Sequence, residues 1–146
     1  MAGLTLAQAA GIIEAGLAHA ARLTLKPLTM AVLDGGGHLV ALQRQDGSGI
    51  LRPQIAQGKA WGALGMGLGG RSLAQRAQHA PTFYAALGSA SHGQLIPGTG
   101  GVLIRSSDGQ VIGAVGVSGD MPDNDEACAV RGIEAVGLLA DPGKDS

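Results

Sequence analysis

The sequence predicts an α+β fold in which a single antiparallel sheet is flanked by helices. Residues 28–45 and 99–118 each contain two β-type apolar runs joined by a glycine-containing turn, which is the pattern of a β-hairpin. A block rich in helix formers and small residues lies between the hairpins, and amphipathic helical patterns lie before and after them. Because hairpins give antiparallel strand pairs, the predicted order is α-β-β-α-α-β-β-α, with a further short helix in the central block.

The first helix and hairpin are marked by their capping and turn residues. Thr5 and Gln8 form a T-x-x-Q capping box, and apolar residues then recur at alternating spacings of four and three. This predicts an amphipathic helix over about residues 5–22. In the hairpin at 28–45, three consecutive glycines at 35–37 would supply the positive φ values of a tight reversal.

The central block predicts three helices. Residues 51–68 carry a helical pattern whose glycine stripe costs about 1 kcal/mol of helix propensity per glycine, a cost that tight packing of a neighbouring backbone would offset. Ser72 with Gln75 predicts a second capping box, and Pro81 predicts the first turn of a helix that runs to about Ala90. Residues 91–98 are predicted to form a loop.

The second hairpin leads into the last helix. Strands over 99–106 and 110–118 are joined by an Asp108-Gly109 turn, a strong hairpin signal. The last helix is predicted from about Asp123 to Ala140, with a core stripe of Ala129, Ile133, Val136 and Ala140.

Composition excludes several classes of function. The 146 residues, without a long polar linker, predict one domain over 1–146. A net charge of −1 and three aromatic residues leave no basic stripe or stacking platform for nucleic acid. The one cysteine excludes an intrachain disulfide and fits a reducing compartment. Apolar runs fall short of the roughly 20 residues that a membrane span requires, and no cation precedes Arg22 as in a secretory signal, so a cytoplasmic protein is predicted.

The glycine-punctuated run at 111–119 is the most informative stretch of the chain. Glycines remove side chains from a strand, so another group can approach its backbone, and the acidic helix start at 123–126 would offer unpaired N–H groups beside it. The sequence therefore predicts a glycine-lined binding pocket here, with binding residues Gly100, Gly101, Gly116 and Ser118.

Several motifs together resemble the GlcG/HbpS family of small haem-binding proteins, which is similar to the C-terminal domain of PduO. They occur in the family's order and cover nearly the whole chain: A-V-L-D-G-G-G-H-L-V at 31–40, R-Q-D-G at 44–47, I-A-Q-G-K-A at 55–60, P-G-T-G-G at 97–101, D-G at 108–109, I-G-A-V-G-V-S-G at 112–119 and D-E-A-C-A at 125–129. The resemblance implies a profilin-like layout with a five-stranded antiparallel sheet, assembled into homo-oligomers. It also implies haem or a related tetrapyrrole as the ligand.

Two histidines are the candidate iron ligands, since haem iron is most often held by histidine. His92 lies in the loop before the second hairpin, and His38 begins a strand directly after the triple glycine. His19 and His79 lie near predicted helix C-termini, where a cation is favourable for dipole reasons alone.

Lys59 and Arg44 are the candidate partners of a haem propionate or a substrate carboxylate. The alternative for Lys59 is a solvated amine on a packed stem.

The competing hypothesis is an enzyme without a tightly held cofactor that acts on a small carboxylate or hydroxy acid. Lys59 would hold the carboxylate, and Glu126 or Asp125 would act as acid or base with a pKa raised by desolvation. Helix capping explains the same acidic residues without chemistry. The G-x-G-x-x-G string at 65–70 ends a predicted helix instead of following a strand, so it does not predict a dinucleotide site.

Overall fold

The protein is described here by a computed structural model, which covers residues 3–145. Within these residues there are five helices and one sheet of five antiparallel strands, ordered β2-β1-β4-β3-β5, so the predicted α+β class is confirmed. The helices are α1 (Leu6–Arg22), α2 (Arg52–Met66), α3 (Gly70–His79), α4 (Pro81–Ala90) and α5 (Pro122–Ala135), and the strands are β1 (Thr29–Asp34), β2 (Leu39–Arg44), β3 (Gly101–Arg105), β4 (Val111–Ser118) and β5 (Leu139–Asp141).

The two faces of the sheet are covered by different helices. On one face α1 and α5 cover the main core, to which the strands contribute Met30, Val32, Val115 and Val117. On the other face α2 packs on a smaller core of Leu33, Leu103, Ala114, Ala60 and Ala63. Since successive side chains of a strand point to opposite faces, this division follows from the alternation of residues along β1 and β4.

The first helix forms as predicted. Thr5 Oγ1 accepts the backbone N–H of Gln8 at 3.0 Å, and Gln8 Oε1 accepts the N–H of Thr5 at 3.0 Å. The two bonds satisfy N–H groups that a helix start leaves unpaired.

The second predicted capping box does not form. Helix α3 starts at Gly70 with no side-chain cap, and Ser72 Oγ instead accepts the N–H of Lys144 in the C-terminal segment at 2.9 Å. Ser72 thus lies inside the helix, where it anchors the end of the chain.

The last helix ends earlier than predicted, at Ala135. Gly137 has φ +79°, a left-handed conformation that terminates helices. The following residues form β5, which pairs with β3, so Ala140 belongs to the sheet and not to the helix. This is the fifth strand that the family resemblance implied and the spacing of residues did not.

The first hairpin turn depends on one glycine and one aspartate. Of the three glycines at 35–37, only Gly37 has a positive φ, +83°. Asp34 Oδ1 accepts the N–H groups of Gly36 and His38, both at 3.0 Å. Side-chain acceptance of this kind is typical of Asx turns.

Helix α2 lies directly on the glycines of the sheet. A Cβ at Gly116 would overlap the backbone carbonyl of Ala56, and one at Gly101 would overlap that of Lys59. The missing side chains therefore admit a helix backbone, and the predicted glycine-lined pocket is filled by the protein's own chain. The glycine stripe of α2, which lowers its helix propensity, also admits a neighbouring backbone, since Gly58 and Gly62 contact the segment around Ile96.

No helix in residues 3–145 has both the length and the apolar character needed to cross a membrane. In the same range, no three His, Cys, Asp or Glu side chains are grouped so that they could hold a metal ion.

Candidate functional site

A cleft of about 260 Å³ with both apolar and polar walls opens between α2, the first hairpin and the loop after α4. Its walls combine the aliphatic side chains of Leu33 and Leu39, the indole of Trp61, and the residues Gly37, Gln54, Gln57, His92, Gly93 and Gln94. We call this space the Trp61 cleft. Small-molecule sites ordinarily combine apolar side chains with polar groups that orient the ligand.

Helix α2 supplies one wall of the cleft through a single stripe. Gln54, Gln57 and Trp61 are spaced by three and four residues and so lie on one helix face. Leu33 pairs with Leu39 across β1 and β2, so both side chains face this helix.

His92 lies at the rim of the Trp61 cleft. It is exposed, and its φ of +56° places it in the left-handed region, which non-glycine residues rarely adopt. The bond from the N–H of Gly93 to the carbonyl of Gly88, at 2.7 Å, holds the loop beside it.

His38 lies on the hairpin that contributes Gly37 and Leu39 to the same cleft. Its side chain is 81% exposed, and its Nδ1 lies 3.2 Å from Asp34 Oδ1. A carboxylate that accepts the Nδ1–H of an imidazole leaves Nε2 as the lone-pair nitrogen, the form that binds metals. The structure thus places His92 in the lining of the cleft and His38 between two lining residues, Gly37 and Leu39, on the first hairpin.

Lys59 points away from this cleft. It lies two residues from both Gln57 and Trp61, which is about 200° around the helix. Its Nζ donates to the carbonyl oxygen of Val117 at 2.8 Å and lies 3.4 Å from Asp125 Oδ2.

The ion pair of Lys59 and Asp125 is buried, with side chains 11% and 2% exposed. Burial lowers the pKa of Lys59, and the nearby Asp125 offsets part of that shift. Burial raises the pKa of Asp125 for the same reason, against the opposing effect of Lys59. A low-polarity environment disfavours both charges, and each charge supports the other.

The buried polar side chains within residues 3–145 are concentrated at this end of the sheet. Thr29 and Ser118 pair across β1 and β4, Thr29 Oγ1 bonds to Ser48 Oγ at 2.8 Å, and Arg52 donates to Ser118 Oγ at 2.9 Å. We call this set the buried polar cluster: Thr29, Ser48, Lys59, Ser118 and Asp125.

A family model described as "Haem degrading protein HbpS-like" matches residues 4–134 of the chain. This chain belongs to the HbpS-like family. The resemblance drawn from the sequence is therefore confirmed.

Similar proteins match the chain over nearly its full length. A protein of Citrobacter freundii, described as an uncharacterized 15.0 kDa protein in the dhaT-dhaS intergenic region, is 30% identical over 139 residues, which is 95% of this chain and 96% of that protein. The structure of Klebsiella pneumoniae protein ORFY matches with a TM-score of 0.84 at 27% identity and covers 93% of this chain and 92% of that one. A double mutant of Streptomyces reticuli HbpS matches with a TM-score of 0.81 at 27% identity, over 94% of this chain and 89% of that one.

A further match is the PduOC–haem complex, with a TM-score of 0.83 over 94% of this chain and 97% of that chain. At 24% identity this likeness shows the fold alone. The TM-scores above 0.8 show that this chain and the three solved structures share a fold.

The other predicted site residues of this HbpS-like chain lie apart from the Trp61 cleft. Arg44 is exposed at the end of β2, where its Nη1 donates to the carbonyl of Ser48 at 2.8 Å. Gly100, Gly101, Gly116 and Ser118 lie under or beside α2, at the buried polar cluster.

Glu126 is held by an arginine. Its two carboxylate oxygens accept from Arg71 Nε at 2.9 Å and Arg71 Nη2 at 3.1 Å, and Arg71 also binds Asp123. The bidentate pair fixes the carboxylate of Glu126 against a guanidinium, so the apolar surroundings assumed for a Glu126 base are not present. Asp125 is the carboxylate that does lie in such surroundings.

His19 lies on α1 between two arginines. Its Nδ1 is buried without a hydrogen-bond partner among the described residues, and burial, with Arg131 and Arg22, lowers its pKa. Arg22 and Arg131 also flank an alanine-lined surface groove between α1 and α5, with Ala15, Ala18 and Ala135.

Sequence reasoning did not single out Trp61, Gln54 or Gln57. Their spacing at i, i+3 and i+7, with the chain's only tryptophan, is the signal that would have found the wall of the cleft.

Proposed function

We propose that this HbpS-like protein binds haem or a related tetrapyrrole in the Trp61 cleft. The observation that supports this most is that the cleft joins an indole and two leucines to a rim histidine, His92, with His38 on the neighbouring hairpin. Haem requires an apolar slot for its ring and a ligand for its iron, and these residue types supply both. The description of the family as haem degrading supports the same ligand class.

The chain's own residues have distinct tasks in this proposal. Trp61 and the two leucines cover the apolar ring, and His92 or His38 offers a nitrogen lone pair to the iron. The amides of Gln54, Gln57 and Gln94 hydrogen-bond polar substituents at the rim. Bound haem supplies redox and ligand-binding chemistry at its iron.

Titration of the purified protein with hemin tests the proposal. We expect a saturable Soret shift, with affinity lowered by about tenfold or more in His92→Ala or His38→Ala, a loss equivalent to at least about 1.4 kcal/mol. His79→Ala, at the C-terminal end of α3, is the matched control and should bind like the wild type. The absence of a saturable shift at micromolar hemin would overturn haem binding.

His19→Ala tests the location independently. The groove between α1 and α5 is lined by two arginines, Arg22 and Arg131, and by one carboxylate, Glu134, and His19 follows its lining residue Ala18 on α1. If His19→Ala abolishes binding while the His92 and His38 variants bind normally, the ligand site is on α1 and not in the cleft.

We also infer that the protein is cytoplasmic, since its single cysteine fits a reducing compartment.

We infer further that the protein forms a homo-oligomer. Strand β2 lies at one edge of the sheet, six residues long, and only its last residue is charged. The other edge, β5, has three residues. An edge strand with few charges pairs readily with another strand, and antiparallel pairing with a second copy is self-complementary. Light scattering after size exclusion should give a multiple of the chain mass; a monomer at tens of micromolar would contradict the inference.

The second candidate function is an enzyme acting on a small carboxylate or hydroxy acid. It is favoured by the buried amine and carboxylate of Lys59 and Asp125, whose shifted pKa values are common at catalytic sites. A substrate carboxylate would have to replace Asp125 beside Lys59. Thermal stabilisation by hydroxy acids in the wild type but not in the double variant Lys59→Met, Asp125→Asn would support it, and no stabilisation of the wild type by any of them would remove it.

A further inference from the structure

Trp61 lies between two cavities. One is the Trp61 cleft, and the other is a depression of about 210 Å³ that is open to solvent and lined by Trp61 together with Gly65, Met66, Leu87, Ala90, Ser91 and Leu95. We call the second one the rear cavity. The indole also packs against both smaller apolar cores, on the sheet side and on the α3–α4 side.

We propose that the ligand site comprises both cavities and that the indole of Trp61 is a movable partition that sets the size of the ligand admitted. This proposal rests on the proposed function. Trp61 would then determine ligand size: small ligands fit the Trp61 cleft alone, and planar ligands of tetrapyrrole size also need the rear cavity.

The volumes of the two cavities support this proposal. Sites for drug-sized ligands occupy about 300–1,000 Å³, and the Trp61 cleft, at about 260 Å³, falls just below that range. The two cavities together reach into it. Trp61 is the residue that both linings have in common, so it is the side chain whose displacement would join them.

The indole of Trp61 has free space at two of its edges. A Cβ at Gly37 would lie 3.3 Å from Trp61 Nε1, and one at Gly65 would lie 3.4 Å from Trp61 Cζ3. Glycine therefore stands at both edges of the indole, and no side chain from either position limits its swing.

The loop after α4, which forms the wall opposite α2, is held in place by hydrogen bonds. Ser91 Oγ donates to the carbonyl of Gly88 at 3.1 Å and accepts the N–H of Leu95 at 3.0 Å. The N–H of Ile96 donates to the carbonyl of Gly58 in α2 at 3.2 Å. Because these hydrogen bonds hold the backbone of the loop, a change in the space between the two cavities requires a side chain to turn, and the indole of Trp61 is the side chain that both cavities share.

Gly65→Ala is the variant that tests this mechanism. Gly65 lies in α2 without a positive φ, so alanine favours the helix while its methyl group meets the indole at ordinary contact distance. Gly88→Ala is the matched control, since it also replaces a helical glycine but its Cβ has no atom within 4 Å.

The single tryptophan gives one indole N–H signal in the NMR spectrum. We expect relaxation dispersion on the microsecond-to-millisecond timescale in the wild type and in Gly88→Ala, and its loss in Gly65→Ala. A wild-type signal without dispersion, or a Gly65→Ala signal that matches the wild type, would overturn the partition whether or not hemin binds.

Stopped-flow hemin binding provides the second readout. Gly65→Ala should bind roughly tenfold more slowly than the wild type, and Gly88→Ala at the wild-type rate. Equal rates in all three proteins would remove the partition and leave haem binding intact. No Soret change in any of them would instead remove the proposed function, with the partition decided by the NMR result.

Discussion

Lys59 and Asp125 form an ion pair although their helices lie on opposite faces of the sheet. Lys59 is on α2 and Asp125 is in the first turns of α5, and their charged groups meet beyond the end of β4, 3.4 Å apart. Lys59 also binds the carbonyl of Val117 in that strand. The pair therefore links both helical layers to the sheet at one end.

Breaking this pair should destabilise the fold strongly. Lys59→Met leaves a carboxylate buried without its partner, and removing one member of a buried pair costs about 3–5 kcal/mol. Adding Asp125→Asn should recover most of the loss, since the amide still accepts the N–H of Asp120, which Asp125 Oδ1 accepts at 3.0 Å. Urea unfolding measures both variants, with exposed Lys144→Met as the control; additive losses in the double variant would contradict the argument.

Stability should fall in acid through Asp120. Its carboxylate accepts from Asn124 Nδ2 at 2.7 Å and from the N–H groups of Lys26 and Met121, which lowers its pKa to about 2. The unfolded chain therefore binds more protons than the folded one between about pH 3.8 and pH 2, so this stability is present above that range and lost as the pH falls through it.

Asp120→Asn should flatten this part of the stability profile. Chemical unfolding at several pH values compares it with the wild type and with Asp46→Asn, an exposed aspartate. An Asp120→Asn profile as steep as the wild type's would show that another carboxylate controls the acid transition.

Gly116→Ala should be among the most damaging single-atom changes in the chain. The added Cβ would overlap the carbonyl of Ala56, and a backbone contact has no rotamer with which to relax. Overpacking typically costs about 1–3 kcal/mol, and we expect about 3 kcal/mol or more here. Gly88→Ala, where a Cβ meets open space, should be neutral or stabilising by up to about 1 kcal/mol. A thermal melt that ranks the two variants equally would disprove the close approach.

The thiol of Cys128 should be unreactive in the folded protein. It is fully buried on α5, and burial raises its pKa to about 11, so little thiolate is present at neutral pH. Alkylation by iodoacetamide at pH 8 should proceed only after denaturation. Rapid labelling of the native protein would mean that α5 opens locally.

Local signals predicted most of the fold. The Thr5 capping box, the turn at Asp108-Gly109 and the start of α4 at Pro81 depend on neighbouring residues, so the sequence specifies them directly. The bounds that were wrong depend on distant contacts. Ser72 binds the C-terminal segment instead of capping α3, and β5 exists because Leu139–Asp141 pairs with β3.

The site was harder to predict for the same reason. Glycines in a strand indicate a close approach but not what approaches, and here Gly116 meets α2 and not a ligand. Lys59 is buried on one side of α2, and Trp61 lines the cleft on the other side. A helical wheel places these two residues on opposite faces, but it does not show which face packs on the sheet. The nearness of His92 to the first hairpin depends on the path of a loop, which residue spacing does not encode.

The contact of α2 with bare strand backbone also bears on how sequences of this kind diverge. Positions 101 and 116 have no tolerance for even one added carbon, whereas the exposed residues of α4 touch little. In a library of random variants, or over long evolutionary drift, these two positions should remain glycine after most exposed residues have been substituted.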